Sequence, residues 1–207
     1  MMDWLQIFTL VTGVLYIILE IRQKNFMWVV GIATSLAAMW VFFRQGLYAS
    51  FGLNTYYFIT AFIGLWHWKR DKKALASVSE SEPQEGDDIV LNRLSWKTVV
   101  VGALVFILGT VALSAGMTFL HDAGVLKENP MSLLDSAVTA LSVVATWWLV
   151  RSYLEQWWLW IVADFMSTIL CAAQGMWWMA LLYLLYTASA VYGLRYWKVR
   201  GAYLGDI

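Results

Sequence analysis

The chain has one cysteine in 207 residues, little charge and no recognisable catalytic signature. Cys171 alone cannot form an internal disulfide, and a small apolar packing role is expected for it. There is no Walker loop, HExxH, GxSxG, pair of carboxylates on one helix or cluster of Cys and His, so the sequence offers no catalytic residue, no metal set and no cofactor site. The 14 basic and 14 acidic residues cancel, leaving no basic excess that needs a nucleic-acid partner. The first apolar run lacks the cationic flank and small-residue cleavage site of a signal peptide, so it is expected to stay as a span.

What the sequence does have is apolar length. Hydrophobic residues make up 61% of it, 14 of them Trp, well above a soluble domain. A bilayer core about 30 Å thick needs about 20 apolar residues per helix at about 1.5 Å each. Seven runs qualify: Trp4 to Leu19, Phe26 to Phe43, Leu47 to Trp68, Trp96 to Leu120, Leu133 to Val150, Trp157 to Ala173 and Met176 to Trp197. Lipid cannot satisfy an open backbone, so each is expected to be a helix and the fold an all-α integral membrane protein with seven transmembrane helices. With the N-terminus outside, 12 of the 14 basic residues fall in the cytoplasm and only Arg44 and Lys127 outside. That asymmetry predicts a multi-pass protein with its C-terminus inside.

Repeats order the runs. "GLYASFGLNTYYFITAFIGLWHWK" from Gly46 aligns without a gap on "GMWWMALLYLLYTASAVYGLRYWK" from Gly175, an offset of 129. At an offset of 132, "FMWVVG" from Phe26 meets "WLWIVA" from Trp158, and Asp3 meets Asp135. The expected organisation is a first three-helix repeat over 1–68, a cytoplasmic loop over 69–95, a linker helix and outer loop over 96–132, and a second three-helix repeat with a short cytoplasmic tail over 133–207. Three spans plus one linker give an even number, so the repeats enter from the same side and are parallel. Carriers built from repeats bind near the midplane, where the halves face each other.

Asp164 lies about seven residues into the sixth run, roughly 10 Å deep at about 1.5 Å per residue. A carboxylate there is costly and should face a protein interior or a wet cavity. Trp157, Trp160 and Asp164 follow i, i+3 and i+7, placing two indoles and an acid on one stripe. Such a stripe suits a flat organic cation, for which Trp is the best π partner. Asn54 and Tyr57 reach a comparable depth in the third run and can hydrogen-bond a heteroaromatic edge. The repeat puts Tyr183 and Tyr186 at the matching places of the last run. Asp135 is expected to cap the fifth helix, Thr146 to bond its own backbone, and His67 and His121 to be solvated.

At these residues the chain resembles the Pnu family of bacterial vitamin transporters, carriers of nicotinamide riboside and thiamine with a three-one-three architecture like that of SWEET sugar transporters. The resemblance rests on "LYAS" followed by Asn54 and Tyr57, on "DSAVTALSVVATWWLVRSYLEQW", and on a WxxWxxxN-like pattern at Trp157, Trp160 and Asp164. It implies facilitated diffusion of an unphosphorylated vitamin across the bacterial inner membrane, with trapping by a cytoplasmic kinase and no coupling ion. By that resemblance, nicotinamide riboside carriers have Asn where this chain has Asp164. An acceptor-only Asp favours the donor edge and cation of thiamine, so thiamine is the expected substrate and nicotinamide riboside the alternative. A sugar carrier and a sensory protein without a permeant remain as other readings. The sequence leaves open whether copies associate into a homo-oligomer.

Overall fold

The computed structural model describes residues 4–44, 48–78, 89–125 and 131–204. Among these residues the chain forms seven helices and two short strands: α1 (Trp4–Ile21), α2 (Phe26–Arg44), α3 (Tyr48–Val78), β1 (Ile89–Leu91), α4 (Trp96–Asp122), α5 (Ser132–Val150), α6 (Gln156–Ala173), α7 (Trp177–Arg200) and β2 (Gly201–Tyr203). The seven apolar runs thus become seven helices, and the protein is an all-α integral membrane protein. By length and composition, α4, α5 and α6 are each sufficient to cross a bilayer, and α2 contains the shorter apolar helix segment Phe26–Ala37. Asp3, the start of the 46–69 repeat segment and Lys127 lie outside the described residues.

The segment expected to be a loop after the third run is different where it is described. α3 continues to Val78, ten residues past Trp68, because "KRDKKALA" is built of good helix formers and needs no lipid to stay helical. Residues 79–88 lie outside the described residues. Ile89–Leu91 then forms a buried strand paired in parallel with Gly201–Tyr203. The strand residues occur within "GDDIVLNR", where a three-residue apolar run is too short to signal a strand by periodicity.

The chain divides into two compact units. The first comprises Met1–Arg93, Leu149–Leu154 and Arg195–Ile207. It holds α1 to α3 together with the ends of both repeats. Gly64 lets α2 and α3 approach: a Cβ there would sit 2.4 Å from the Trp28 ring. Trp28 in turn meets Trp68 edge to face at 5.0 Å, and Trp68 meets Trp197 at 6.3 Å. These three indoles are nearly fully buried.

An exchange of bonds closes this unit. Trp68 Nε1 donates to the Leu149 carbonyl at 3.2 Å, and Trp197 Nε1 donates to the Ile21 carbonyl at 2.9 Å. Gln23 and Ser152 both turn through positive φ, 46° and 55°, immediately after α1 and α5. The buried Gln23 side chain then bonds Val90 in both directions, accepting from its N–H at 2.8 Å and donating to its carbonyl at 2.9 Å. Asn92 Nδ2 bonds Asp71 and the Arg151 carbonyl, each at 2.9 Å. Buried backbone groups that leave a helix need such partners, and this belt supplies them.

The second unit comprises Leu94–Trp148 and Glu155–Leu194. Ser95 caps α4 by accepting from the Thr98 N–H. α4 presents Gly102 to Trp148 and Val144, and Gly109 to Ala140, which fixes it against α5. α6 and α7 meet where Gly193 lies under the Trp157 ring, with only 2.5 Å available to a Cβ.

Candidate functional site

The Gly193 contact settles which face of α6 does what. Trp157 is 2% exposed, and its six-membered ring is seated on Gly193. Helical spacing had grouped Trp157 with Trp160 and Asp164, and the structure gives its ring a packing duty in addition. Trp160 and Asp164 follow on the same helix, and each is half-buried. Trp160 Nε1 is buried with no hydrogen-bond partner among the described residues.

α7 supplies the facing aromatic wall. Tyr183 and Tyr186 stack edge to face, with centroids 5.9 Å apart and planes at 89°. Asp164 lies within electrostatic reach of both, and Tyr183 also senses Asp135 and Cys171. Asp164, Tyr183 and Tyr186 thus lie within electrostatic reach of one another inside the second unit, and Trp160 is one turn before Asp164 on α6. An ion of positive charge fits such a set: π faces attract it, and the carboxylate neutralises it in a medium that cannot hydrate it. Asp164 has Ser35 as its equivalent at the offset of 129, and Trp160 has Gly31. The acid and indole belong to the second repeat only.

Asn54 and Tyr57 lie in the first unit on α3, one turn apart and half-buried. Tyr57 stacks against Tyr56 at 5.7 Å. Tyr16 of α1 is within electrostatic reach of both Tyr57 and Glu20. The Tyr16 ring lies beside Gly31 of α2, 3.6 Å from where a Cβ would stand. Glu20 is 5% exposed, a buried acid that the sequence reading passed over. The signal was present as Tyr16 and Glu20 at i and i+4, one helix face carrying an aromatic and a carboxylate.

Other expectations meet mixed outcomes. Thr146 bonds the Ser142 carbonyl at 2.8 Å, and Cys171 is a buried free thiol, both as expected. Asp135 lies in the first turn of α5, which begins at Ser132. His121 is exposed, but His67 is buried at 7% exposure, held beside the Trp66 ring and Arg70.

A model of the family described as nicotinamide mononucleotide transporter matches residues 3–199. The chain belongs to that family. Nicotinamide riboside transporter PnuC of Escherichia coli K12 is 27% identical over 210 residues, covering 95% of this chain and 85% of its own. The PnuC protein of Neisseria mucosa is 26% identical over 204 residues, covering 94% and 72%. The crystal structure of the vitamin B3 transporter PnuC superposes with a TM-score of 0.62 at 23% identity, over 92% of this chain and 79% of that one. The resemblance to the Pnu family is thereby borne out. This member of the nicotinamide mononucleotide transporter family is a membrane transporter and not an enzyme.

Proposed function

We propose that the protein is a uniporter for nicotinamide riboside, whose pyridinium ring carries a fixed positive charge. The observation that carries this reading is the cluster of Trp160, Asp164, Tyr183 and Tyr186 in one unit, which offers π faces and a carboxylate to a flat cation. Trp160 stacks on the ring, Asp164 balances its charge, and the two tyrosines close the aromatic wall. Trp157 forms the floor through its seat on Gly193. Asn54 and Tyr57 hold the repeat positions in the first unit that Tyr183 and Tyr186 hold in the second.

The sequence leaned towards thiamine because Asp164 only accepts hydrogen bonds. That step does not discriminate, since a carboxamide also presents two N–H donors to a carboxylate. The named relatives, all nicotinamide riboside transporters, favour the alternative. The asymmetry of basic residues supports an inner-membrane protein with its N-terminus outside. Transport then runs down the gradient without a coupling ion, and a cytoplasmic kinase traps the vitamin as its phosphate.

Counterflow in proteoliposomes tests this. Unlabelled nicotinamide riboside inside the vesicle should drive uptake of labelled nicotinamide riboside, and thiamine should not compete at equal concentration. Exchange of thiamine alone would reverse the assignment.

A further inference from the structure

Gln156, the first residue of α6, is fully buried, and its Nε2 and Oε1 both lack a hydrogen-bond partner among the described residues. Its equivalent at the offset of 129 is Met27, which is also fully buried. The same position beside the packed Trp (Trp28 in one repeat, Trp157 in the other) is filled once by a thioether and once by an amide of similar length. Packing at this position therefore accepts methionine. An amide sealed there without partners carries a desolvation cost that methionine avoids, and a buried polar group in this state calls for a ligand or water.

The surroundings indicate which. Residues 156, 160 and 164 recur every fourth position and share one face of α6. Trp160 Nε1, one turn on, is a second buried donor with no partner among the described residues, and Asp164 follows after another turn. At about 1.5 Å per residue the three cover about 12 Å of the axis. One face thus offers a two-way amide at one end, an indole N–H and ring in the middle, and an acid at the other end.

We infer that Gln156 is the specificity residue for the neutral end of the substrate, a primary carboxamide. Its Nε2 donates to the carboxamide oxygen and its Oε1 accepts from the carboxamide NH2, a reciprocal pairing that needs an amide on both sides. This rests on the reading of the protein as a nicotinamide riboside carrier, and it adds the group that distinguishes that vitamin from other ribosylated cations. A site built to bond a polar group rejects an analogue lacking it far more strongly than an apolar pocket rejects a change of size.

The test is binding to the purified full-length protein, by calorimetry, of three ribosides: nicotinamide riboside, the pyridinium riboside without a carboxamide, and nicotinic acid riboside. The wild type should prefer nicotinamide riboside to each of the others by at least about tenfold, which is 1.4 kcal/mol. Gln156→Met should bind nicotinamide riboside and the pyridinium riboside alike, at the weaker affinity. A variant that keeps the tenfold preference would show that the amide serves a water, and equal weakening for both ligands would show a structural role; either result overturns the inference. If Gln156→Met does not fold, the wild type decides: nicotinic acid riboside, an acceptor at both oxygens, must bind at least tenfold more weakly, and equal binding overturns the inference. Wild-type protein that binds nicotinamide riboside without preference removes this inference alone, whereas failure to bind it at all removes the proposed function as well.

Discussion

Gln23 donates from Nε2 to Ser152 Oγ at 3.2 Å, and the two residues are 129 apart, the same spacing that relates the repeats. Each follows the end of a helix at the same place in its repeat, each has positive φ, and each is nearly fully buried. A residue bonded to its own repeat partner sits on the axis that relates these two segments. Trp68 and Trp197 are a second such pair, in ring contact and also 129 apart. Their indoles reach across to carbonyls at Leu149 and Ile21, positions one residue out of step between the repeats.

Removing one of those indole donors should destabilise the protein without touching Trp160, Asp164, Tyr183 or Tyr186. Trp68→Phe leaves the Leu149 carbonyl without this donor, at an expected cost of about 1–3 kcal/mol. A fall in melting temperature in detergent, with the affinity of the folded fraction for nicotinamide riboside unchanged, is the expected result. An unaltered melting temperature would mean that water replaces the indole.

Gly193→Ala should be severe, because a Cβ would stand 2.5 Å from the Trp157 ring. Overpacking of this kind costs about 1–3 kcal/mol. Trp157→Phe in the same chain should recover part of that loss by shortening the ring system. Gly64→Ala and Trp28→Phe should behave in the same way in the first unit, where the gap is 2.4 Å. A thermal-shift double-mutant cycle for each pair measures the coupling, and purely additive effects would argue against the contact.

Gln23→Ala removes three side-chain hydrogen bonds at once, two to Val90 and one to Ser152. Amide exchange at Val90 should rise by at least about tenfold, the equivalent of 1.4 kcal/mol, while exchange in α4 stays as it was. Uniform protection in β1 would show that its pairing with β2 alone holds the strand.

Asp164→Ala should raise the KM for nicotinamide riboside by at least about tenfold, or 1.4 kcal/mol, and Asp164→Asn should do so less, since an amide oxygen still accepts a hydrogen bond. Trp160→Leu should weaken binding by a similar factor through loss of the cation–π contact, worth about 2 kcal/mol when desolvated. Counterflow across a concentration series gives both values. If all three variants matched the wild type, the cluster would not be the substrate site.

The helices were legible because lipid imposes a simple requirement: a run of about 20 apolar residues, all backbone groups bonded within it. The first run, expected from Trp4 to Leu19, is α1 from Trp4 to Ile21. Where water replaces lipid that requirement lapses, and the sequence reading ended the third helix ten residues early at Trp68. The acid at 164 was conspicuous against its apolar neighbours, whereas Gln156, beside a charged turn, and Glu20, near the end of its run, were not.

The sequence by itself therefore determined the membrane class, the seven helices, the repeat of "GLYASF" on "GMWWMA" and the placing of an acid and an indole on one face of α6. Only the tertiary structure decided the register of the second and sixth helices. It pairs Trp28 on Gly64 with Trp157 on Gly193, so the offset is 129 there too, and not 132. The physical reason is that periodicity reports which residues share a face, but says nothing of what lies opposite that face. Trp157, seated on Gly193, and Trp160, whose buried Nε1 has no hydrogen-bond partner among the described residues, look alike in the chain, and only the neighbouring helix tells them apart.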